Sequence, residues 1–308
     1  MSPPGRPKGE YRKAQPEGSP VCPPGRPGAG RAAARGAVAL LAVGVLGASL
    51  ARPASGAELP LWELGIGVAG LRLPHYRGSD RTRSWALPVP YGVYRGEWLR
   101  ADRDGARARL FETERSRLEL SLAAGAPTRS RDDPARDGMD DLAPTLELGP
   151  TLELGLQRGA TWKLELRLPV RAVFTLERHP RAIGWTTTPN LNLDRRVGAW
   201  NLGLSGGPIW NTQRYNGYVY DVGPQDATAQ RPAYRAGGGF AGWQATAGLS
   251  RRFESHWVGA FLRVDDVGGA AFDGSPLVRR DRNVSFGVAW AWVPWRSAQR
   301  VNVPDDAW

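Results

Sequence analysis

One cysteine, two methionines and three histidines are all that 308 residues hold of those types. No stretch reaches the ~20 apolar residues that a membrane-spanning helix needs. The scarcity of cysteine excludes a disulfide scaffold. His75, His179 and His256 stand at no ligand spacing and have no thiol to assist them, so neither a metal nor a cofactor is expected. Helical periodicity is also missing beyond residue 57, which removes helix bundles and α/β enzymes. What remains is charged (23%) and glycine-rich, with 39 Gly, 26 Pro, 13 Trp and a formal net charge of +11.

Much of that charge lies at the start of the chain. Residues 1–36 are Pro, Gly, Ala and Arg without period, and an apolar run follows from Ala37 to Ala51, too short to span a bilayer. Arg31 and Arg35 precede the run and Ser55 and Ala57 follow it, which is the order of a secretory signal peptide cut after Ala57. A 36-residue basic region is too long for such a leader, so translation is expected to begin downstream, near Val21. Removing residues 1–57 leaves 33 basic and 28 acidic residues, a net +5 over 251 residues, and discards Cys22. Three segments are therefore expected: a signal peptide over 1–57, a body over 58–295 and a tail over 296–308.

The body alternates with period two. From Trp162 to Phe174 the even positions are Trp, Leu, Leu, Leu, Val, Ala and Phe, and the odd ones include Lys163, Glu165, Arg167 and Arg171. Leu146–Leu156 sets leucines against Glu147 and Glu153, Leu118–Ala124 sets leucines against Arg117 and Glu119, and Val284–Trp292 repeats the pattern. Such alternation marks strands with one apolar face. Twelve segments show it, near 61–72, 84–95, 97–103, 106–113, 115–125, 143–157, 160–175, 185–193, 197–211, 238–252, 255–266 and 283–295.

Their connections alternate too. Turns at 96–97, 114, 158–160, 194–196 and 254 are tight, whereas 73–83, 126–142, 176–184, 212–237 and 267–282 are long and polar. Short turns on one side and long loops on the other are the signature of an outer-membrane barrel, so an all-β, antiparallel, up-and-down transmembrane barrel of about 12 strands is expected, with both termini in the periplasm. In that threading Trp62, Trp98, Trp162, Trp200, Trp257 and Trp292 fall at periplasmic strand ends and Trp85, Trp185, Trp210 and Trp243 at outer ends, as two aromatic belts. Arg117, Glu119, Glu147, Glu153, Lys163, Glu165, Arg167 and Arg171 then line the lumen. A symmetric turn at 157–160 would set Glu147 opposite Arg171. Opposite signs on facing strands can either satisfy one another or line a polar path.

Three short motifs are set aside on context. Gly65–Gly70 spells G-x-G-x-x-G and Gly203–Gly207 spells G-x-S-x-G, but both sit inside strand pattern without the following helix that either chemistry needs. Asn283-Val284-Ser285 is a formal glycosylation sequon, meaningless if the chain is bacterial. With no nucleophile–base constellation the sequence reads as non-enzymatic. Arg100–Arg109 is interrupted by acids on short strands, so nucleic acid is not an expected partner, and basic strand ends suit anionic lipid instead.

Five ordered motifs carry a family resemblance over essentially all of residues 58–295. Pro74-His75-Tyr76-Arg77-Gly78-Ser79-Asp80 is followed by Leu87-Pro88-Val89-Pro90-Tyr91-Gly92-Val93-Tyr94-Arg95-Gly96-Glu97. Then come Tyr215–Val222 (YNGYVYDV), Ala233-Tyr234-Arg235-Ala236-Gly237-Gly238, and Ser275-Pro276-Leu277-Val278 before a last aromatic strand. Together these resemble the MipA/OmpV family of outer-membrane proteins. The resemblance implies an outer-membrane location and a scaffold that binds a murein lytic transglycosylase (MltA) and a bifunctional penicillin-binding protein. It also leaves open a porin-like channel, in which the Thr212–Gly237 loop would be the constriction. It supplies no catalytic residues. Family chains tend to stop at a terminal aromatic, a role open here to Trp295 or Trp308.

Overall fold

The protein is seen as a computed structural model that describes Met1 and residues 57–96, 98–102 and 105–303. Apart from Met1 and Ala57 the expected leader lies outside the described residues, as does Trp308. The strands are β1 (Ala57–Pro60), β2 (Trp62–Pro74), β3 (Thr82–Arg95), β4 (Leu99–Asp102), β5 (Gly105–Glu112), β6 (Ser116–Gly125), β7 (Thr145–Arg158), β8 (Trp162–Thr175), β9 (Ala182–Thr187), β10 (Asn190–Val197), β11 (Trp200–Asn211), β12 (Gly239–Arg252), β13 (His256–Asp266), β14 (Arg282–Arg296) and β15 (Arg300–Val303). Among the described residues a single α-helix, α1 (Gln213–Tyr220), lies between β11 and β12.

Strands β2 to β14 form one antiparallel sheet in which consecutive strands are neighbours and β14 pairs with β2. β8 pairs with both β9 and β10, and both pair with β11, so β9 and β10 act as one interrupted strand and the wall closes with twelve. Closure pairs nearly every strand on both sides, as a strand-built membrane span requires; among the described residues the main exception is β3, which has β4 beside it only at Tyr94 and Arg95. Among the described residues no helix is long and apolar enough to cross a membrane. β1 and β15 make a separate two-stranded ribbon, with Glu58 opposite Asn302, that joins the segments flanking the barrel on the short-turn side.

Alternation on β14 shows which face meets lipid. Val284, Phe286, Val288, Trp290 and Trp292 are 42–60% exposed, while Asn283, Ser285 and Ala291 are 3–5% exposed. An apolar outer face and a buried polar inner face invert a soluble protein and fit a barrel in lipid.

Register is kept by a bulge. Beside the β7–β8 turn Arg158 pairs with Lys163, and continuing that register would put Glu147 opposite Phe174, on the wrong face. Leu156 is an extra residue on β7, after which Gly155 pairs with Glu165 and Glu147 with Val173. A one-residue slip flips every side chain, and the bulge restores the parity. Glu147 thus lies diagonal to Arg171 rather than opposite it, and their charged groups still meet at 3.8 Å.

No helix was expected, yet α1 follows Thr212. Its eight residues are too few to show a helical period, and its buried members Asn216 and Tyr220 are anchored by other loops rather than by its own amphipathicity. The hydrophobic core lies there, outside the wall. Tyr76, Leu142, Tyr220, Val267, Phe272 and Leu277 from the long loops pack together with Ile209 and Ala241 at the outer strand ends.

Candidate functional site

The lumen divides along its circumference. On β5–β8 and β10 it is ionic. Arg117 meets Glu153 at 2.9 Å and Glu112 at 3.1 Å, and lies 3.6 Å from Glu119. Arg167 bridges Glu153 at 3.3 Å and Glu165 at 3.1 Å, while Lys163 reaches Glu165 at 3.2 Å and Asp194 at 3.7 Å. Six of the eight residues expected in the lumen therefore share one network. Glu147 and Arg171 form a second group, where the Arg171 Nε donates to Ser121 Oγ at 2.9 Å. Arg107, which lies 3.6 Å from Glu119 and 3.8 Å from Glu153, and Asp194 belong to the first network as well, and sequence reasoning placed neither there. The sequence places Asp194 in a turn, but β10 continues to Val197 and turns it inward. With Glu119, Glu153 and Glu165 all under 9% exposed and each beside a cation, the charges cross-link the wall rather than lie open to ions.

At the short-turn end a second ionic group closes the base. Glu63 accepts from Arg95 Nη2 at 2.8 Å and from Arg252 Nη2 at 2.7 Å, and Arg95 Nη1 also donates to the Pro60 carbonyl at 2.8 Å. Tyr94 and Gly96 flank this arginine, so the second family motif ends in the clamp.

At mid-height on β2, β3, β13 and β14 the lumen is apolar, between the Glu63 clamp at one end and Arg263, Asp265, Asn283 and Ser285 toward the other, a division that an evenly charged lumen does not predict. Cross-strand pairing sets Trp85 beside Leu71, Leu71 beside Gly287 and Gly287 beside Phe261. A cavity of about 360 Å³ lies against this side, with Leu71, Trp257 and Phe261 on one wall and Asn192, Asn201 and Thr246 on the other. Its trace in the sequence is that both parities of β3 are apolar, which erases the period that would mark a face. The glycines of the two dismissed motifs serve the wall here. A Cβ on Gly67 would fall 2.3 Å from the Trp290 carbonyl oxygen, and one on Gly207 1.9 Å from that of Pro189.

The outer mouth is filled. Tyr220 stacks on Phe272 with ring centroids 3.7 Å apart and meets Tyr76 edge-on at 6.1 Å. Its hydroxyl donates to the Arg77 carbonyl at 2.8 Å, and its own carbonyl accepts from Ser275 Oγ at 2.8 Å. The Tyr76 hydroxyl donates to the carbonyl of Leu277, which is fully buried next to Pro276. Gly78, at φ +92°, donates its N–H to Asn283 Oδ1 at 2.6 Å. Arg77 reaches across to Asp265 at 3.0 Å and to the Ala241 carbonyl at 2.8 Å.

Tyr215 points from α1 into the barrel mouth. Burial, then the Glu147 carboxylate, hold its phenol well above the usual range, opposed by Arg77 and Arg263 from the far wall. Its surface is half-buried. Burial likewise raises the Tyr76 and Tyr220 phenols and lowers the Arg136 guanidinium, whose Nη1 donates to the Val219 carbonyl at 2.7 Å. Tyr234 pairs with Val222 through backbone hydrogen bonds at 2.9 and 3.0 Å, whereas Arg235 is exposed on the surface. The outer motifs thus converge on one stopper, apart from Arg235.

One cluster looks catalytic and is not arranged so. Ser79 Oγ donates to Asp133 Oδ2 at 2.7 Å and His75 Nδ1 lies 3.2 Å from the same oxygen. The carboxylate stands between hydroxyl and imidazole, so the histidine is not placed to take the serine proton. The three residues tie the 126–144 loop to the end of β2.

Residues 66–294 match the sequence model of the family described as MltA-interacting protein MipA. The outer membrane protein Omp26La of Vibrio anguillarum is 27% identical over 220 residues, covering 70% of this chain and 80% of that one. OmpV of Vibrio cholerae serotype O1 is 27% identical over 206 residues, covering 65% and 75%. Among solved structures, an outer-membrane channel from Pseudomonas putida F1 aligns with a TM-score of 0.40 at 13% identity, covering 80% of this chain and all of that one. The β domain of the Bordetella autotransporter BrkA aligns at 0.35 and 13%, covering 75% and 99%.

Proposed function

Because the chain belongs to the MipA family of outer-membrane proteins, we propose that it is a stoppered barrel that serves as a membrane-anchored scaffold, holding a peptidoglycan enzyme of the lytic transglycosylase class, and with it a penicillin-binding protein, beneath the outer membrane. The observation that supports this reading is the outer stopper. Four long loops bury an aromatic core over the mouth and fix it with hydrogen bonds between loops, so flux is blocked where a pore would need an opening.

The surface left for a partner is then periplasmic. It consists of the short turns, a basin of about 420 Å³ lined by Arg115, Arg117, Gln157, Arg158, Lys163 and neighbours, and the ribbon of β1 and β15. A two-stranded ribbon can accept a third strand from a partner by backbone pairing. Retention of a purified lytic transglycosylase on the refolded barrel tests the proposal. Retention that drops at least tenfold when residues 300–308 are removed supports it, and no retention by the intact barrel refutes it.

A further inference from the structure

Among the described residues, one stretch of the barrel wall lacks a neighbour. β2 pairs with β3 from Thr82 to Tyr94, but on its other side β3 pairs with β4 only at Tyr94 and Arg95. The cause is chain length. Twenty residues, 96–115, must supply β4, β5 and three turns, while β7 and β8 have 14 residues each. At ~3.4 Å per residue the four residues of β4 climb about 14 Å, well short of the outer end of β3. Across the opening, β6 pairs with β5 as far as Ser121, leaving Leu122–Gly125 beyond it. Above, the chain leaving β6 crosses back to β2 and β3. The Thr128 hydroxyl donates to the His75 carbonyl, and Arg83 Nη1 lies 3.5 Å from Asp132. The result is a window framed on all sides.

Its β3 edge is built to stay unpaired. The Arg95 N–H donates to Leu61, on the β2 side, so odd residues of β3 direct their backbone groups to β2 and even residues direct theirs to the window. Pro88 and Pro90 are even. Two prolines remove two donors from the edge, so no strand can zip onto it and fewer N–H groups face lipid unsatisfied.

The window also lies at lipid depth. Pro88 and Pro90 sit between Trp85 toward the outer end and Trp98 below, level with Val68 and Ile66, which are 59% and 58% exposed on the lipid face. Leu87 has inward parity, yet it is 40% exposed, whereas Ala69 beside it on β2 is 9% exposed. Behind Leu87 the row continues through Ala69 and Ala289, small residues that leave a groove, to Gly259, over which the Trp257 ring packs at the apolar wall of the 360 Å³ cavity.

We propose that this window is a lateral portal that admits one acyl chain of an outer-leaflet lipid from the surrounding membrane into the apolar side of the lumen. The neighbour at that depth is hydrocarbon, and the groove beyond Leu87 is apolar and narrow. The proposal is independent of any periplasmic partner, because a stopper over the mouth leaves a sideways route open.

The test is photolabelling of the barrel in phosphatidylcholine vesicles carrying a trace of phosphatidylcholine with a diazirine at mid-chain, with adducts mapped by mass spectrometry. Adducts on inward residues Leu87, Leu71 and Phe261, besides those on Val68 and Val288, are expected. A69W, which fills the groove, should cut the Phe261 adduct at least tenfold and leave the Val68 adduct unchanged. Adducts confined to the lipid face of wild-type barrel would overturn the portal, whether or not A69W folds. So would inward labelling by a diazirine fatty acid added from water in the absence of any inward labelling by the lipid.

Discussion

Tyr220 and Phe272 stack face to face, 3.7 Å between centroids and 7° between planes, although one ends α1 and the other lies in the loop between β13 and β14. The contact joins two outer loops that neither strand pairing nor chain proximity would hold together. It makes the cap a packed core instead of a set of independent loops.

Removing that contact should open the cap and spare the wall. Tyr220→Ala loses a buried aromatic and about 3–5 kcal/mol of cap stability, while Tyr220→Phe loses only the hydrogen bond to Arg77, about 1 kcal/mol. Limited proteolysis should cut Tyr220→Ala within 212–237, with strand content unchanged by circular dichroism, and should leave Tyr220→Phe nearly intact.

Alkali should open the same cap. The Tyr76, Tyr215 and Tyr220 phenols are raised by burial, so above the ordinary tyrosine value of about 10 the open form releases protons that the closed form retains. Stability of the closed form is then independent of pH below that value and falls as pH rises past it. Protease sensitivity of 212–237 should increase above about pH 10, together with phenolate absorbance that lags behind free tyrosine. Simple titration without opening would refute the link.

The base clamp makes a separate prediction. Glu63→Ala leaves Arg95 and Arg252 facing each other without their shared carboxylate, which should cost about 3 kcal/mol in urea unfolding from vesicles. Arg235→Ala, at an exposed site, should cost nothing measurable.

Two glycines should differ sharply. A Cβ on Gly207 would sit 1.9 Å from the Pro189 carbonyl oxygen, and that oxygen belongs to the backbone and cannot yield, whereas a Cβ on Gly70 meets nothing nearer than 3.8 Å. Gly207→Ala should prevent or severely slow folding, read as loss of heat-dependent migration on gels, and Gly70→Ala should fold normally.

The strands were legible because a barrel in lipid writes its two faces into alternate residues. Trp162–Phe174 and Val284–Trp292 carry the pattern without interruption, and the bulge at Leu156 shifts the register without breaking the alternation that precedes it. What stayed hidden depends on contacts between distant segments. α1 is held by Phe272 and Ser275, the ribbon of β1 and β15 needs the segments flanking the barrel on both sides, and the ionic network recruits Arg107 and Asp194 from neighbouring strands. The apolar half of the lumen was written in the odd positions of β3, but a strand apolar on both faces loses the period that announces a face. Pro88 and Pro90 marked an edge that only the pairing of β3 with β4 reveals.

Planar-bilayer conductance tests the stoppered barrel most directly. Refolded protein should insert and pass no ionic current, and a variant with 212–237 replaced by a short glycine linker should give discrete conductance steps in the same membrane. Steady open-channel current from the intact protein, unchanged by that replacement, would contradict a lumen closed by its own loops.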